Sequence, residues 1–396
     1  MDSLKRCFMS RNIRLLLLSY LIWGFGEGLF VYFEPLFLEH TGASYQQIGV
    51  AMAISALIVT FLYVPAGWLG DRLERRRLIL GGYLIGGIAA FIMAVAPTWQ
   101  LFALGMVVYG LSSYCIPVIN AYVLQETPPN QHTRILNRLV AAFWLGLLGA
   151  PLVGGWLADI GGRAVLFTSV ALMFFISSGI TWGIAPQSPT AERANEERIA
   201  WRHLPALWPI LGLLVILAAF EWGTRLGDVL LPNYLTHRFA YDIRTIGMLG
   251  TMNSLGAILW LLLLSELDAK GRKALFLATA NVAIGLWTLW RIPSFGMHFV
   301  AFVLLGARHT FRSLGTVLLA RLTPHAYQST ITGVFYALSG LAITLAEFLS
   351  GFLYAVDPAR PLQVAFWWLV AWVSLFGVYG LAFRHLRRIS PIFAEA

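Results

Sequence analysis

The sequence has 396 residues, of which 58% are apolar and only 12% carry a formal charge, roughly half the charged share of a soluble protein. This composition excludes an ordinary soluble domain and, with 15 Trp residues, indicates a protein that crosses a membrane. The net charge of +9 does not indicate nucleic-acid binding, because the chain has too few polar segments to form such a surface. Cys7 and Cys115 are predicted to be free thiols.

The basic segment 1–14 leads into an apolar run that is long enough to cross the roughly 30 Å of membrane hydrocarbon. We expect a first spanning helix there, because no cleavage site for a signal peptide is evident. Runs of this length are predicted to be helices, since a spanning segment must satisfy its own backbone hydrogen bonds. Twelve such runs are predicted, at 13–38, 45–68, 78–96, 98–124, 135–157, 164–185, 205–236, 246–264, 274–291, 295–321, 329–354 and 361–383.

Basic residues are distributed unevenly between the segments that connect the runs. Of the 28 Lys and Arg residues, 20 fall on the same side as the termini, five fall on the opposite side and three lie inside runs. Because basic residues accumulate on the cytoplasmic side, we expect a multi-pass protein of the inner (cytoplasmic) membrane with both termini in the cytoplasm. This asymmetry also explains the net positive charge.

A polar stretch divides the runs into two sets of six, which predicts bundles over 1–185 and 205–396 joined by a cytoplasmic linker, 186–204. The two sets resemble each other in sequence. Pro35 and Pro232, for example, are 197 residues apart, and other motifs recur at an offset of 196 or 197. Matches at one offset indicate an internal repeat, so the halves are predicted to be homologous.

The stretch "GWLGDRLERRRLIL", residues 67–80, resembles the loop signature of the major facilitator superfamily. The position of Glu74 is usually Gly in that family, and a second copy, "LDAKGRK", follows the eighth run. The resemblance implies an all-α membrane protein with twelve helices in two six-helix bundles that rock about a central cavity. It also implies a conformational gate formed by the motif residues Gly67, Asp71, Arg72, Arg75, Arg76, Asp268 and Arg272.

Electrostatics also supports a gate, independently of the family resemblance. Asp71 can meet the positive N-terminal end of a helix, and the arginines can meet C-terminal ends or acidic headgroups. The alternative is simple anchoring on the cytoplasmic side, which we favour for Arg76. For Asp71 we favour the gate, because an acid works against such anchoring.

The fifth run contains "GLLGAPLVGG", residues 146–155, which resembles the Gly-Pro motif of exporters in the superfamily. Ala150 stands where those exporters have Gly. The alternative interpretation is close packing of helices through small residues. We slightly favour the exporter interpretation.

Several charged residues lie inside the apolar runs, where they are expected to face a water-filled cavity or a charged partner. Glu27 is flanked by Gly24, Gly26 and Gly28, which are expected to leave room, and it has no basic neighbour in the sequence. It therefore suits a proton carrier. The full set of proton-coupling candidates is Glu27, Glu34, Glu221, Asp228, Glu347 and His309.

The seventh run places Glu221, Arg225 and Asp228 on one helical face. This spacing predicts that both acids hold Arg225, a structural role that we favour for the arginine. Structural alternatives also remain open for Glu34 and His309. Substrate-binding candidates are the polar, aromatic and basic residues predicted to line the cavity, namely Trp23, Tyr20, Tyr114, Asn120, Trp222, Arg225, Arg308 and Arg312.

The resemblance implies a secondary transporter, and the sequence contains no phosphate-binding loop or catalytic cluster. We expect a monomer in the lipid bilayer that moves a small organic solute and protons, with export by antiport favoured and with no enzymatic activity, cofactor, metal or nucleic-acid partner. Uptake of an anionic or polar nutrient by proton symport and lipid or lysolipid flipping are alternatives. A sensor or assembly factor of the same fold that does not transport is a further alternative.

Overall fold

The computed structural model describes residues 9–70, 72–128, 131–187, 208–267, 272–323 and 328–389. Over these residues the chain is helical and contains no strand. The helices are α1 Arg11–Gly28, α2 Glu34–His40, α3 Tyr45–Gly70, α4 Arg75–Val95, α5 Trp99–Ser112, α6 Cys115–Glu126, α7 His132–Thr181, α8 Trp208–Asp228, α9 Leu231–Phe239, α10 Ile243–Leu267, α11 Arg272–Arg291, α12 Phe295–Leu305, α13 Arg308–Leu322, α14 Gln328–Val356 and α15 Arg360–Ile389.

Four of the predicted runs fold as two consecutive helices. The first, fourth, seventh and tenth runs correspond to α1 and α2, α5 and α6, α8 and α9, and α12 and α13. Pro35 and Pro232 each lie at the first positions of the second helix, α2 or α9, where a missing backbone N–H costs little. These paired prolines occupy equivalent places in the two halves, as the predicted repeat requires.

The fifth and sixth runs are joined in α7, which is interrupted by two glycines. Gly161 has non-helical dihedral angles, and Gly162 has φ of 60° and ψ of −154°, a conformation accessible mainly to glycine. The chain therefore turns between two helical segments here without a longer loop.

The chain divides into two compact units. Unit 1 consists of Met1–Thr41, Phe61–Ala194 and Ile243–Gly247, and unit 2 consists of Gly42–Thr60, Asn195–Asp242 and Met248–Ala396. The predicted bundles, 1–185 and 205–396, remain a sequence-based prediction. Most of the predicted linker, from residue 188 onward, lies outside the described residues.

In unit 1, α1 packs closely against α7 through glycines on both helices. A side chain at Gly24 would clash with the carbonyl of Phe143, and one at Gly154 would clash with the carbonyl of Leu29. The expectation that the glycines around Glu27 leave room is therefore wrong, because the neighbouring helix occupies that space. Small residues allow such an approach of helix backbones, so the Gly-Pro motif serves close packing here.

The core of unit 2 is built on stacked aromatic side chains. Phe220 of α8 and Phe311 of α13 have ring centroids 3.5 Å apart, and both contact Trp372 of α15. The indole N–H of Trp372 donates to the carbonyl of Ile216 at 2.5 Å, which satisfies its only polar group. These contacts fix α8 and α13, the two helices that carry Glu221, Arg225, Asp228, Arg308 and Arg312.

Large apolar side chains remain exposed along the helices. Trp156, Trp182 and Trp367 have fractional exposures of 53%, 67% and 60%. Among the described residues, nine helical stretches are long and apolar enough to cross a membrane. An apolar exterior of this kind suits contact with lipid, as the composition predicts.

Candidate functional site

Unit 1 contains a cavity of about 460 Å³ with an aromatic wall and a single acid. A volume in this range suits a small organic molecule. Of the sequence-predicted residues, Tyr20, Trp23, Glu27 and Asn120 line it, together with Tyr83, Tyr109, Ser112, Ser113, Cys115, Ile116, Ile119, Leu136, Asn137, Leu139, Val140 and Phe143.

Glu27 is partly buried in the cavity wall and is held by a hydroxyl group. The hydroxyl of Tyr109 donates to Oε2 of Glu27 at 2.7 Å, and Trp23 lines the same cavity beside this acid. Within the described part of unit 1, no Lys, Arg or His forms an ion pair with Glu27. The carboxylate therefore has a neutral donor, the Tyr109 hydroxyl, as its partner, and the absence of a basic neighbour in the sequence predicts this.

Aromatic stacking fixes the side chains around Glu27. The ring of Trp23 stacks on Phe174 at 4.0 Å and on Tyr83 at 4.6 Å, and Tyr109 stacks on Phe174 at 5.7 Å. Gly86 of α4 lies directly against the Trp23 ring, where a side chain would not fit. Because these rings stack on one another, Tyr109 is held in a fixed orientation towards Glu27.

Two further candidates from the first half lie outside the cavity lining. The hydroxyl of Tyr114 donates to the carbonyl of Leu78 at 2.8 Å, so this side chain joins the start of α6 to α4 instead of facing the cavity. Glu34 is the first residue of α2. Sequence reasoning missed Tyr109, although its position one turn before Ser112 and Ser113 in the fourth run could have indicated it.

In unit 2, Arg225 of α8 forms an ion pair with the buried acid Glu347 of α14. Its Nε and Nη2 lie 2.6 and 2.5 Å from Oε1 of Glu347, and its Nη1 lies 3.4 Å from Oδ2 of Asp228. The Glu347 side chain is only 2% exposed. The short contacts and the burial indicate a pair that stabilises the packing of α8 against α14.

Asp228 connects this pair to α13. Its Oδ1 forms an ion pair with Arg308, and Nε of Arg308 lies 3.2 Å from Nε2 of His309. His309 in turn contacts Oδ1 of Asn253 at 3.1 Å. Four of the predicted site residues on α8 and α13, namely Arg225, Asp228, Arg308 and His309, therefore belong to one continuous polar network that reaches α10.

Glu221 forms its ion pair with a different arginine from the one predicted. Its Oε1 lies 3.4 Å from Nε of Arg312 on α13. The prediction that Arg225 is held by the two acids of its own helix is therefore borne out for Asp228, whereas Glu221 is an interhelical partner of Arg312. The helical spacing indicated the shared face but could not indicate which arginine on another helix approaches it.

Trp222 was predicted to bind substrate, and its indole contacts another tryptophan. Its ring centroid lies 4.6 Å from that of Trp368, and its buried N–H has no hydrogen-bond partner among the described residues. Within the part of the chain that the structure describes, no cluster of metal-ligating side chains is found.

Two arginines of the predicted gate make specific contacts at one end of unit 1. Buried Arg75 donates to the carbonyls of Gly70 at 3.3 Å and Ala121 at 3.4 Å and contacts the side chain of Gln125. Arg76 donates to the carbonyl of Trp182 at 2.6 Å. Gly70 ends α3 and Trp182 caps α7, so both arginines meet the negative ends of helices.

The remaining gate residues are more exposed or lie outside the described side chains. The exposed Arg72 guanidinium lies 4.0 Å from the ring centroid of Trp68. Asp71 and Asp268 are outside the described residues, and Gly67 and Arg272 are described only as helical backbone. The contact expected of Asp71 therefore remains a prediction.

The helical fold, its apolar exterior and the charged and polar side chains held between its helices define a multi-pass helical membrane protein. The family model described as Major Facilitator Superfamily matches residues 16–225, and the chain belongs to this family. The sequence is 23% identical over 398 residues to the class E tetracycline resistance protein of Escherichia coli, with 97% of this chain and 96% of that protein covered.

Other relatives match over shorter stretches. The Staphyloferrin B transporter of Staphylococcus aureus is 30% identical over 42% of this chain and 41% of its own length, and multidrug resistance protein 1 of Bacillus subtilis is 22% identical over 62% and 64%. These two matches thus span less than two thirds of each relative.

Solved structures agree on the fold. A bacterial homolog of the human lysosomal transporter Spinster has a TM-score of 0.71 at 16% identity, covering 94% of this chain and 96% of that one. The nucleoside transporter NupG has a TM-score of 0.72 at 13% identity, covering 94% and 99%. At these identities the similarity establishes the fold alone.

Proposed function

We propose that this transporter couples the movement of protons to the export of a small organic solute and that Glu27 carries the proton. The observation that carries the proposal is the position of Glu27 in the wall of the unit 1 cavity, with Tyr109 as a neutral donor. In this proposal the chain acts as a monomer in the inner membrane with both termini in the cytoplasm.

Proton transfer is the chemistry that suits Glu27 best. Its hydrogen-bond partner, the Tyr109 hydroxyl, is neutral, so Glu27 can exist both as a carboxylate and as a carboxylic acid without leaving a cation unpaired. The acids of unit 2 differ, because Glu221, Asp228 and Glu347 each contact an arginine. Protonation of one of these acids would leave a positive charge without its partner.

The cavity supports an organic solute as the cargo. Its wall combines aromatic faces with neutral polar groups from Ser113, Asn120 and Asn137, a lining that suits an organic body with a few hydrogen-bonding groups. The direction of export is supported by the names of relatives, which include tetracycline and multidrug resistance proteins.

The cytoplasmic motif is proposed to set the balance between the two states of the transport cycle. The contacts of Arg75 and Arg76 with helix ends support this role, because such contacts depend on how those ends are packed. In this proposal Asp71 adds a contact with a neighbouring helix that is present in one state only.

The test is transport by the full chain reconstituted in liposomes with an imposed pH gradient. A panel of fluorescent aromatic solutes, anionic, neutral and cationic, serves as the probe. We expect the parent to accumulate at least one solute against its gradient and Glu27→Gln to lose this accumulation while retaining exchange of the same solute. Glu39→Gln, near the end of α2, is the matched control and should behave as the parent. Accumulation that survives in Glu27→Gln would exclude Glu27 as the carrier.

A further inference from the structure

We propose that Arg312 and Tyr336 form an anion-binding site in unit 2 that takes the carboxylate or phosphate group of an aromatic organic solute. The inference rests on the proposed transport of organic solutes and narrows their class to organic acids. It concerns binding alone and does not depend on where the proton is carried.

The Arg312 guanidinium has N–H groups that are not used by its contact with Glu221. Its single ion-pair contact is from Nε to Glu221 at 3.4 Å, and its side chain is 41% exposed. Nη1 and Nη2 make no hydrogen bond or ion pair with any described residue. A guanidinium with an open Nη edge presents parallel N–H donors in the geometry that a carboxylate or phosphate matches.

The other two arginines of the network are already engaged. Arg225 makes short contacts to buried Glu347, and Arg308 is 15% exposed and paired with Asp228. Releasing Arg225 would leave the buried acid Glu347 without its cation, and releasing Arg308 would leave Asp228 with only its longer contact to Arg225, so both changes are costly. Arg312 differs because its pair is longer and more exposed, and such pairs contribute little to stability.

Tyr336 of α14 supplies the second part of the site. The guanidinium carbon of Arg312 lies 5.5 Å from the centroid of its ring, and the tyrosine is 40% exposed. Its hydroxyl makes no hydrogen bond to a described residue. The pair therefore offers an aromatic face beside guanidinium and hydroxyl donors, a combination that fits an aromatic ring bearing an acidic group.

The location of Arg312 favours a water-filled surface. It lies within α13, in the predicted tenth spanning run, and exposed arginines at membrane depth face aqueous cavities or partners because of the cost of contact with lipid. The adjacent Glu221 disfavours a second anion, so the site is suited to a single acidic group.

Binding to the purified full chain in nanodiscs of phosphatidylcholine tests the proposal. The probes are benzoate and phenyl phosphate, with benzyl alcohol and benzylamine as matched solutes that lack the acidic group, and the readout is calorimetric affinity. We expect the two acids to bind and the other two solutes not to bind. Arg312→Gln should weaken acid binding about tenfold or more and Tyr336→Phe by a smaller factor, whereas Arg321→Gln, on the same helix, should match the parent.

Two further comparisons complete the test. One distinguishes a lipid headgroup from a free solute as the source of the anion, and the other distinguishes a failure of acid binding from a failure of proton coupling. Competition by phosphatidylglycerol in the nanodiscs, abolished by Arg312→Gln, would identify a lipid headgroup as the occupant of the same site. Binding is measured at equilibrium without a pH gradient, so a failure of proton coupling in the transport assay leaves this result intact. Acid binding that is equal in Arg312→Gln and the parent, or absent for both acids in the parent, would overturn the proposal.

Discussion

The hydroxyl of Tyr109 on α5 donates a 2.7 Å hydrogen bond to Oε2 of Glu27 on α1. This contact joins the first and fourth predicted runs at the wall of the unit 1 cavity. It gives the acid a fixed orientation with a neutral partner. The first prediction follows from this relationship.

Tyr109→Phe keeps the aromatic stacking and removes only the hydroxyl. We expect the rate of proton-driven transport to fall about tenfold, because a hydrogen bond to a charged group contributes about 1.5–3 kcal/mol and its loss frees the carboxylate to move. Transport rates in proteoliposomes provide the measurement. Tyr83→Phe is the control, since Tyr83 lines the same cavity and its hydroxyl contacts Ser19 at 3.3 Å. Equal losses in the two variants would refute a specific role for the Tyr109 hydroxyl.

The pair of Arg225 and Glu347 should be more sensitive to loss of one partner than to loss of both. Arg225→Gln leaves buried Glu347 without its cation, and stranding a buried charge costs about 3–5 kcal/mol. We expect the double variant Arg225→Gln/Glu347→Gln to recover part of the thermal stability lost in the single variant, measured in detergent. Additive losses would show that the two side chains act independently.

A methyl group at Gly154 should disrupt the packing of α7 on α1. The added carbon of Gly154→Ala would clash with the backbone carbonyl of Leu29. Because a backbone carbonyl can move only with the chain around it, we expect the variant to lose about 1–3 kcal/mol of folding stability. Gly149→Ala, on the same helix, is the matched control because nothing lies within 4 Å of its added carbon. Yield and thermal stability of the two variants give the comparison, and equal stability would contradict the observed packing.

The neighbouring arginines of the motif at residues 67–80 should differ in their contribution to stability. Arg75 is buried and donates to Gly70 and Ala121, whereas Arg77 is 83% exposed and pairs with Glu74. We expect Arg75→Gln to lower the thermal stability clearly, because two carbonyls lose a charged donor, and Arg77→Gln to change it by less than about 0.5 kcal/mol. A stable Arg75→Gln variant would indicate that water replaces the guanidinium.

Much of the fold was predictable because the membrane imposes strong constraints on a sequence. The helical class, the apolar exterior and the equivalent positions of Pro35 and Pro232 follow from patterns within the chain. The position of Glu27 in a polar site also followed, since an acid inside an apolar run is expected at a cavity or a partner.

The partners of those residues were harder to predict. Glu221 pairs with Arg312 and Arg225 with Glu347, and such pairs depend on how helices distant in sequence approach each other. Tyr109 was not predicted because it is uncharged, and a tyrosine is common in an apolar run. The breaks within the first, fourth, seventh and tenth runs were missed for a different reason, because apolar composition continues across each break.

The measurement that tests the central claim most directly is proton flux driven by a solute gradient. Liposomes containing the parent, Glu27→Gln or Glu39→Gln and a pH-sensitive dye receive a solute that the parent transports. We predict a change of internal pH with the parent and with Glu39→Gln, and none with Glu27→Gln although exchange of the solute continues. A pH change of the parent's size in Glu27→Gln would contradict the assignment of Glu27 as the proton carrier.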